Sequence, residues 1–310
     1  MSEPENTAGA RDDELTPEQL ELARNLSPDL ARSLVSLKHS IDKRGGEALH
    51  IAEIVQLPLW PEPARAMPNP ALRSALFSAV KSRDRRFIND DVIAAVNGVQ
   101  IRFKGEQLNQ EDAEVCTQLF HLARMHPLGI ICEFTAHSFL KAIGRDTGGQ
   151  SHNDLYKSIR RLQQPVEVKL AHYRFSGQLV GFCEQDELSK RYKLKLNPEL
   201  AGLFSTGWTG LDLEHRQQLR SKPLALWLHA FYATHAEPFP YKVETLRELC
   251  GSRTAALRHF RANLRAALKK LKAIGAIQGY DVDKGDLVHV FKTKTITQKK
   301  ARKPRRKTAD

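Results

Sequence analysis

Between Gly251 and Tyr280 the chain carries Arg253, Arg258, Arg261, Arg265, Lys269, Lys270 and Lys272 and no acidic residue. A row of guanidinium and ammonium groups can pair with a row of phosphates, and the guanidinium fork also fits the O6/N7 edge of guanine. Leu257, Phe260, Leu264, Leu268 and Leu271 step by three and four, which predicts a buried stripe on a helix over about 253–274. Arg258, Arg261, Arg265, Lys269 and Lys272 each follow a stripe residue by one position, so they form a second stripe about 100° further round. Like charges at i,i+4 repel, and an ordinary surface helix intersperses Glu with Lys to relieve this. With no such relief in sequence, the stripe predicts a polyanionic partner, against the plainer reading of a solvated face. Arg253 and Arg258, near the helix start, suit guanine edges, whereas Lys269, Lys270 and Lys272 suit phosphate.

A weaker set of the same kind lies upstream. Lys157, Arg160 and Arg161 flank the apolar positions Leu155, Ile159 and Leu162, with Lys169 on the β-rich run that follows. At the C-terminus, Lys299 to Lys307 holds seven bases in nine residues and no apolar anchor, as expected of an arm that adds sequence-independent, salt-sensitive affinity. Gln56, Leu57, Leu59 and Trp60 carry a different signal. Two leucines and an indole sit in a proline-restrained segment that could dock into a partner's apolar pocket, with a glutamine amide fixing its start. Packing of Leu59 and Trp60 onto the chain's own first domain is the alternative. Catalysis finds no support: there is no G-x-x-x-x-G-K-[ST] phosphate loop and no His-x-His pair beside a nucleophilic Tyr. The cysteines at 116, 132, 183 and 250 lack C-x-x-C spacing and the twelve histidines are scattered, so no metal, cofactor or disulfide is expected.

The elements that must position these residues follow from periodicity and breakers. Residues 1–55 read as an acidic, disordered tail, and 56–96, with prolines at 58, 61, 63, 68 and 70, as an extended connector. From there a strand (Val99, Ile101, Phe103) and a helix (Val115, Leu119, Leu122) lead to a short helix with Phe139 and Leu140. A Gly-rich turn, a helix capped by Ser151, and a hairpin over Val166–Phe182 turning at Ser176-Gly177 complete a first unit, 97–205. The order recurs over 206–294: a helix with Leu219, Leu224, Leu226 and Trp227, a short helix 243–250, the basic helix, and a hairpin with Asp283 to Asp286 at its tip. The predicted fold is α+β, mainly helical, with two tandem winged-helix domains followed by a basic arm over 295–310.

Charge is distributed to match. The net +12 hides a contrast between residues 1–30, with eight acids against two bases, and residues 242–310, with nineteen bases against six acids. No apolar run reaches membrane-spanning length and no basic-then-apolar leader opens the chain, so a cytoplasmic protein is expected.

Two blocks resemble one family. Gln56 to Pro61, Arg65 to Asn69 and Arg73 to Phe77 form the first; His235 to Pro240, Glu244-Thr245, Cys250 to Ser252, the basic helix and Asp286 to His289 form the second. In these residues the chain resembles the TrfA family, replication initiators of broad-host-range IncP plasmids, from about Gln56 to Lys292. The resemblance implies tandem winged-helix domains that bind direct repeats, called iterons, in origin DNA and help open an adjacent AT-rich segment. The partners it implies are double-stranded origin DNA, the single strand of the opened origin, host DnaA and the replicative helicase. It further implies docking on the sliding clamp through a Q-L-x-L-F peptide, in which Trp60 here replaces Phe, and a balance of monomers and dimers. The competing readings are a winged-helix transcriptional regulator acting at a promoter and a clamp-tethered scaffold that binds DNA without sequence preference.

Overall fold

A computed structural model of the chain describes residues 56–96 and 98–292. The expected acidic tail and basic C-terminal arm lie outside the described residues. Two buried apolar clusters organise the rest. One runs from Leu57 to Leu211 and takes in Ala230; the other runs from Leu219 to Val290.

Residues 56–96, expected as an extended connector, are part of the first cluster. Strand β1 (Ala64–Pro68) leads into a single helical turn, α1 (Asn69–Leu72), which Pro70 opens where a missing N–H costs nothing. Strand β2 (Phe87–Ile93) pairs with β3 (Gln100–Glu106). The prolines do exclude long helix here, but they do not exclude an edge strand. Helix α2 (Gln110–Ala123) follows. Its first turn is closed by a capping box in which Asn109 accepts from Glu111 and Asp112 while the Asp112 carboxylate accepts the Asn109 N–H.

The chain then runs β4 (Cys132–Thr135), α3 (Ala136–Ala142) and α4 (Gly149–Leu162). Ser151 does not cap α4; Gly148 occupies that position and Ser151 lies inside the first turn. The run 166–182 is not one hairpin. Strands β5 (Val166–Leu170) and β6 (Tyr173–Gly177) turn at Ala171-His172 and extend the sheet to the order β2-β3-β5-β6. Ser176-Gly177 is where the chain leaves that sheet for another. There β7 (Val180–Gln185) pairs with β8 (Arg191–Leu196), giving the order β4-β8-β7.

Helix α5 (Leu200–Ser205) and strand β9 (Trp208–Asp212) follow, and β9 pairs along the whole of β1. Residues 206–212, expected to open the second unit, therefore pack with the first. Helices α6 (Leu213–Gln218) and α7 (Pro223–Ala233) stand where one helix from Leu219 to Trp227 was expected: Leu219 ends the first, Ser221 turns at φ +62° and Pro223 opens the second. They lead to β10 (Tyr241–Lys242), α8 (Val243–Leu249), α9 (Leu257–Ala273), β11 (Gly279–Val282) and β12 (Leu287–Phe291). The last sheet has the order β10-β12-β11. Strand, helix, helix, hairpin thus occurs twice, each time with the last strand central in its sheet, and β5–β6 interrupts the first copy.

Residues 73–79 tie the copies together. The Trp227 Nε1–H donates to Ser74 O (3.0 Å), the Ala79 N–H to Cys250 O (2.7 Å), and the Ser78 N–H to Leu108 O (3.0 Å). Arg73 donates to both oxygens of Thr234. Gly251, at φ +63°, lies so close that a Cβ there would stand 2.8 Å from the Ser78 Cβ.

Candidate nucleic-acid interface

Helix α9 buries Phe260, Leu264, Ala267, Leu268 and Leu271 and leaves Arg258, Arg265, Lys269, Lys270 and Lys272 exposed, as its periodicity predicts. It is the second helix of its copy, and the turn Ser252–Ala256 separates it from α8. Among the described residues Arg258, Arg265, Lys269 and Lys272 make no ion pair. Their charge faces solvent, one step round from the core. Arg253 is also exposed, with Nη1 donating to Asp84 O at 3.2 Å.

Arg261 departs from the stripe. Its Nε and Nη2 donate to the two carboxylate oxygens of Asp286 at 2.8 and 2.5 Å, a fork-to-fork pair that raises the guanidinium pKa and lowers that of the carboxylate. Asp286 sits at the tip of the β11–β12 hairpin at φ +60°. Asp283, at the same tip, accepts the Gly285 and Leu287 N–H groups. The expectation that no acid answers this helix therefore needs correction at one position. Asp286 is remote in sequence and near in space.

In the first copy, Lys157 and Arg160 are exposed on α4 and Arg161 is turned inward. Arg161 Nε and Nη2 reach Asp112 Oδ1 at 3.0 and 2.9 Å, and Nη1 reaches Glu106 at 3.4 Å. Asp112 is fully buried and also pairs with Arg85 at 3.0 Å. Arg161 thus fastens α4 to α2 rather than standing beside Lys157 and Arg160. Lys169 is exposed on β5, in the four-stranded sheet and not in the hairpin that closes the copy. That hairpin presents Arg191, Lys193 and Lys195 instead, alternating with buried Tyr192, Leu194 and Leu196. The period-two pattern RYKLKL was in the sequence, and an assumed turn at Ser176-Gly177 obscured it. Glu133 and Glu184 flank Lys193 across the sheet, so the surface there is less one-sided than that of α9.

The segment Gln56 to Trp60 is only partly open. Leu59 is 66% exposed, but Leu57 is 2% and Trp60 5% exposed, in the first cluster. The Trp60 indole stacks on Phe204 with ring planes 4° apart, and its Nε1–H donates to His121 Nδ1 at 3.1 Å. Arg65 Nη1 also points at Nδ1, so that nitrogen is an acceptor and the ring proton sits on Nε2, 3.0 Å from Glu62. Burial lowers the His121 pKa, while the hydrogen bonds from His121 and Arg124 lower that of Glu62. Gln56 donates through Nε2 to Arg124 O (2.9 Å), and Arg124 Nε donates to Trp60 O (3.2 Å). Of the four residues expected to face a partner, Leu59 and Gln56 are exposed, Gln56 with its amide tied to Arg124 O, and Leu57 and Trp60 are buried.

The sequence matches the TrfA protein family over residues 19–292. The chain belongs to the TrfA family. A curated relative, the plasmid replication initiator protein TrfA of Escherichia coli, is 27% identical over 279 residues, covering 87% of this chain and 71% of that protein. Similar solved structures include domains 2 and 3 of RctB (TM-score 0.47, 14% identity, 72% of this chain and 96% of that one). Another is the Pi initiator protein in complex with iteron DNA (TM-score 0.45, 13% identity, 59% and 92%). Beyond this match, the TrfA-family chain has among its described residues no helix long and apolar enough to cross a membrane. Nor do those residues gather three or more His, Cys, Asp or Glu side chains that could hold a metal ion. The cysteines are free, Cys116 and Cys250 being buried and Cys132 and Cys183 half-buried.

Proposed function

We propose that this chain is a plasmid replication initiator that binds repeated duplex sites in its origin. Each strand-helix-helix-hairpin copy acts as a winged-helix module, with α4 and α9 as the helices that enter the major groove. The observation that carries the reading is the exposed, unpaired row Arg258, Arg265, Lys269 and Lys272 on the second helix of a two-helix turn, in a chain of this family. A helix that leaves four like charges without an ion pair is less stable alone than one with interspersed Glu, and phosphate supplies the missing partner. Two copies joined through residues 73–79, each presenting one helix, suit a footprint longer than one groove.

Sites on repeated origin DNA lead to the further steps of the reading: opening of an adjacent segment and recruitment of host DnaA and helicase. Docking on the sliding clamp through Gln56, Leu57, Leu59 and Trp60 belongs to the same proposal. Because Leu57 and Trp60 are buried, it requires the segment to leave the first cluster, with Leu59 as the residue already free. The test is replacement of Arg258 and Arg265 by Ala, with affinity measured on repeat-containing duplex. A guanidinium on a base edge is worth about 1–3 kcal/mol. Affinity should fall about tenfold or more with the melting temperature unchanged, and undiminished affinity would refute α9 as the reading helix.

A further inference from the structure

Lys270 does not point with the stripe. At about 100° per residue, Arg258, Arg265, Lys269 and Lys272 cluster on one flank of α9, and Asn263, Ala266, Ala267 and Lys270 cluster roughly 140° further round. The buried stripe lies between the two flanks on the inside. On the outside, the ridge between them carries the exposed His259 and the small, exposed Ala262 and Ala273. The second flank is one wall of a groove of about 760 Å³. Its other walls are Ala79 to Lys81 with Asp84, the start of α7 from Ser221 to Ala225, and Ser252 to Thr254.

Four cations line this groove, Lys81, Lys222, Arg253 and Lys270, against one acid, Asp84, which already has Arg83 at 3.8 Å. Lys81, Lys222 and Lys270 are exposed and make no ion pair among the described residues. The residues come from three separate stretches of chain, so nothing in local helix periodicity brings them together.

A helix with side chains is about 10–12 Å across, and the major groove of duplex DNA is about 12 Å wide. A helix seated there has a phosphate chain on each side. The outer ridge of α9 and the arginines beside it can approach the bases, and the lysines of the stripe meet one strand.

We propose that the groove lined by Lys81, Lys222, Arg253 and Lys270 is a second phosphodiester site, holding the backbone of the opposite strand. The inference rests on the reading of α9 as a groove-entering helix and adds Lys81 and Lys222, from outside that helix, to the DNA surface. Phosphate contacts position a protein without reading sequence. The groove therefore sets affinity and register, and the ridge and helix start set specificity.

The test uses the full chain, with affinity measured across a salt series on a repeat duplex and a random duplex. The variants are Lys81→Gln/Lys222→Gln/Lys270→Gln and Arg258→Gln/Arg265→Gln, and unchanged circular dichroism serves as the fold control. Loss of three phosphate contacts should lower the slope of log affinity against log salt by about 2.7, at roughly 0.9 per phosphate. The groove variant should weaken on both duplexes by the same factor, with the preference for the repeat intact. An unchanged slope overturns the proposal, and it is what a groove made for an acidic peptide would give. If the wild-type chain keeps its repeat preference in that outcome, the reading of α9 stands without the groove. If the wild type shows no such preference, the reading itself fails.

Discussion

Arg261 and Asp286 show how a residue can belong to a basic stripe and still not face a ligand. The bidentate pair joins the second turn of α9 to the tip of the following hairpin and so fixes where that hairpin stands. Replacing Arg261 or Asp286 with Ala should each weaken binding to repeat DNA severalfold, and the double substitution should be no weaker than either single one, because both remove the same link. Tighter binding by Asp286→Ala would contradict this, since it would mean the carboxylate only holds Arg261 back from phosphate. Arg161 has the equivalent role at α4 through Asp112. Neither partner was legible in the sequence: Asp112 is 49 positions from Arg161 and Asp286 is 25 from Arg261. Exposure of Arg258, Arg265, Lys269 and Lys272 was legible, because helical periodicity is local and no neighbour in sequence could answer their charge.

At the scale of elements, local signals predicted local structure. The helices with three-and-four apolar spacing are present, and Asp283 to Asp286 forms the hairpin tip it was expected to form, through side-chain bonds within the same five residues. Pairings over long separations were not legible. Five prolines between 58 and 70 suggested a free connector, yet β1 pairs with β9 more than 140 residues later and Trp60 stacks on Phe204. The excursion of β5 and β6 into a separate sheet likewise depends on β3, far upstream. Trp60 makes the packing testable. Trp60→Ala should lower stability by about 3–5 kcal/mol, as for a large aromatic removed from a core. Trp60→Phe, which keeps the stack and loses the bond to His121, should cost only about 1 kcal/mol. Chemical unfolding measures both. Equal stability of Trp60→Ala and wild type would show that the indole serves a partner and not the fold.

The whole molecule joins two copies of one arrangement through residues 73–79, and much of that joint gathers around α7. His229 and His235 lie there, and burial drives their pKa to about 3 and about 4, below the ordinary 6.5. Both are neutral in the fold, so the unfolded chain binds protons first. The stability they support is complete above about pH 6.5 and is lost as pH falls through 5 toward 4 and 3, by about 1.4 kcal/mol per unit for each ring. Urea unfolding between pH 6.5 and 4.5 should show this slope, and His229→Gln/His235→Gln should flatten it; a level profile in the wild type would contradict the burial of neutral rings. The central proposal is that α4 and α9 read bases in origin repeats. Footprinting on the origin of the chain's own plasmid, with random duplex as competitor, tests it most directly. The account predicts protection confined to the repeats, at least about a thousandfold tighter than on random sequence, and lost in Arg258→Ala/Arg265→Ala. Protection spread evenly over repeat and random DNA would contradict it.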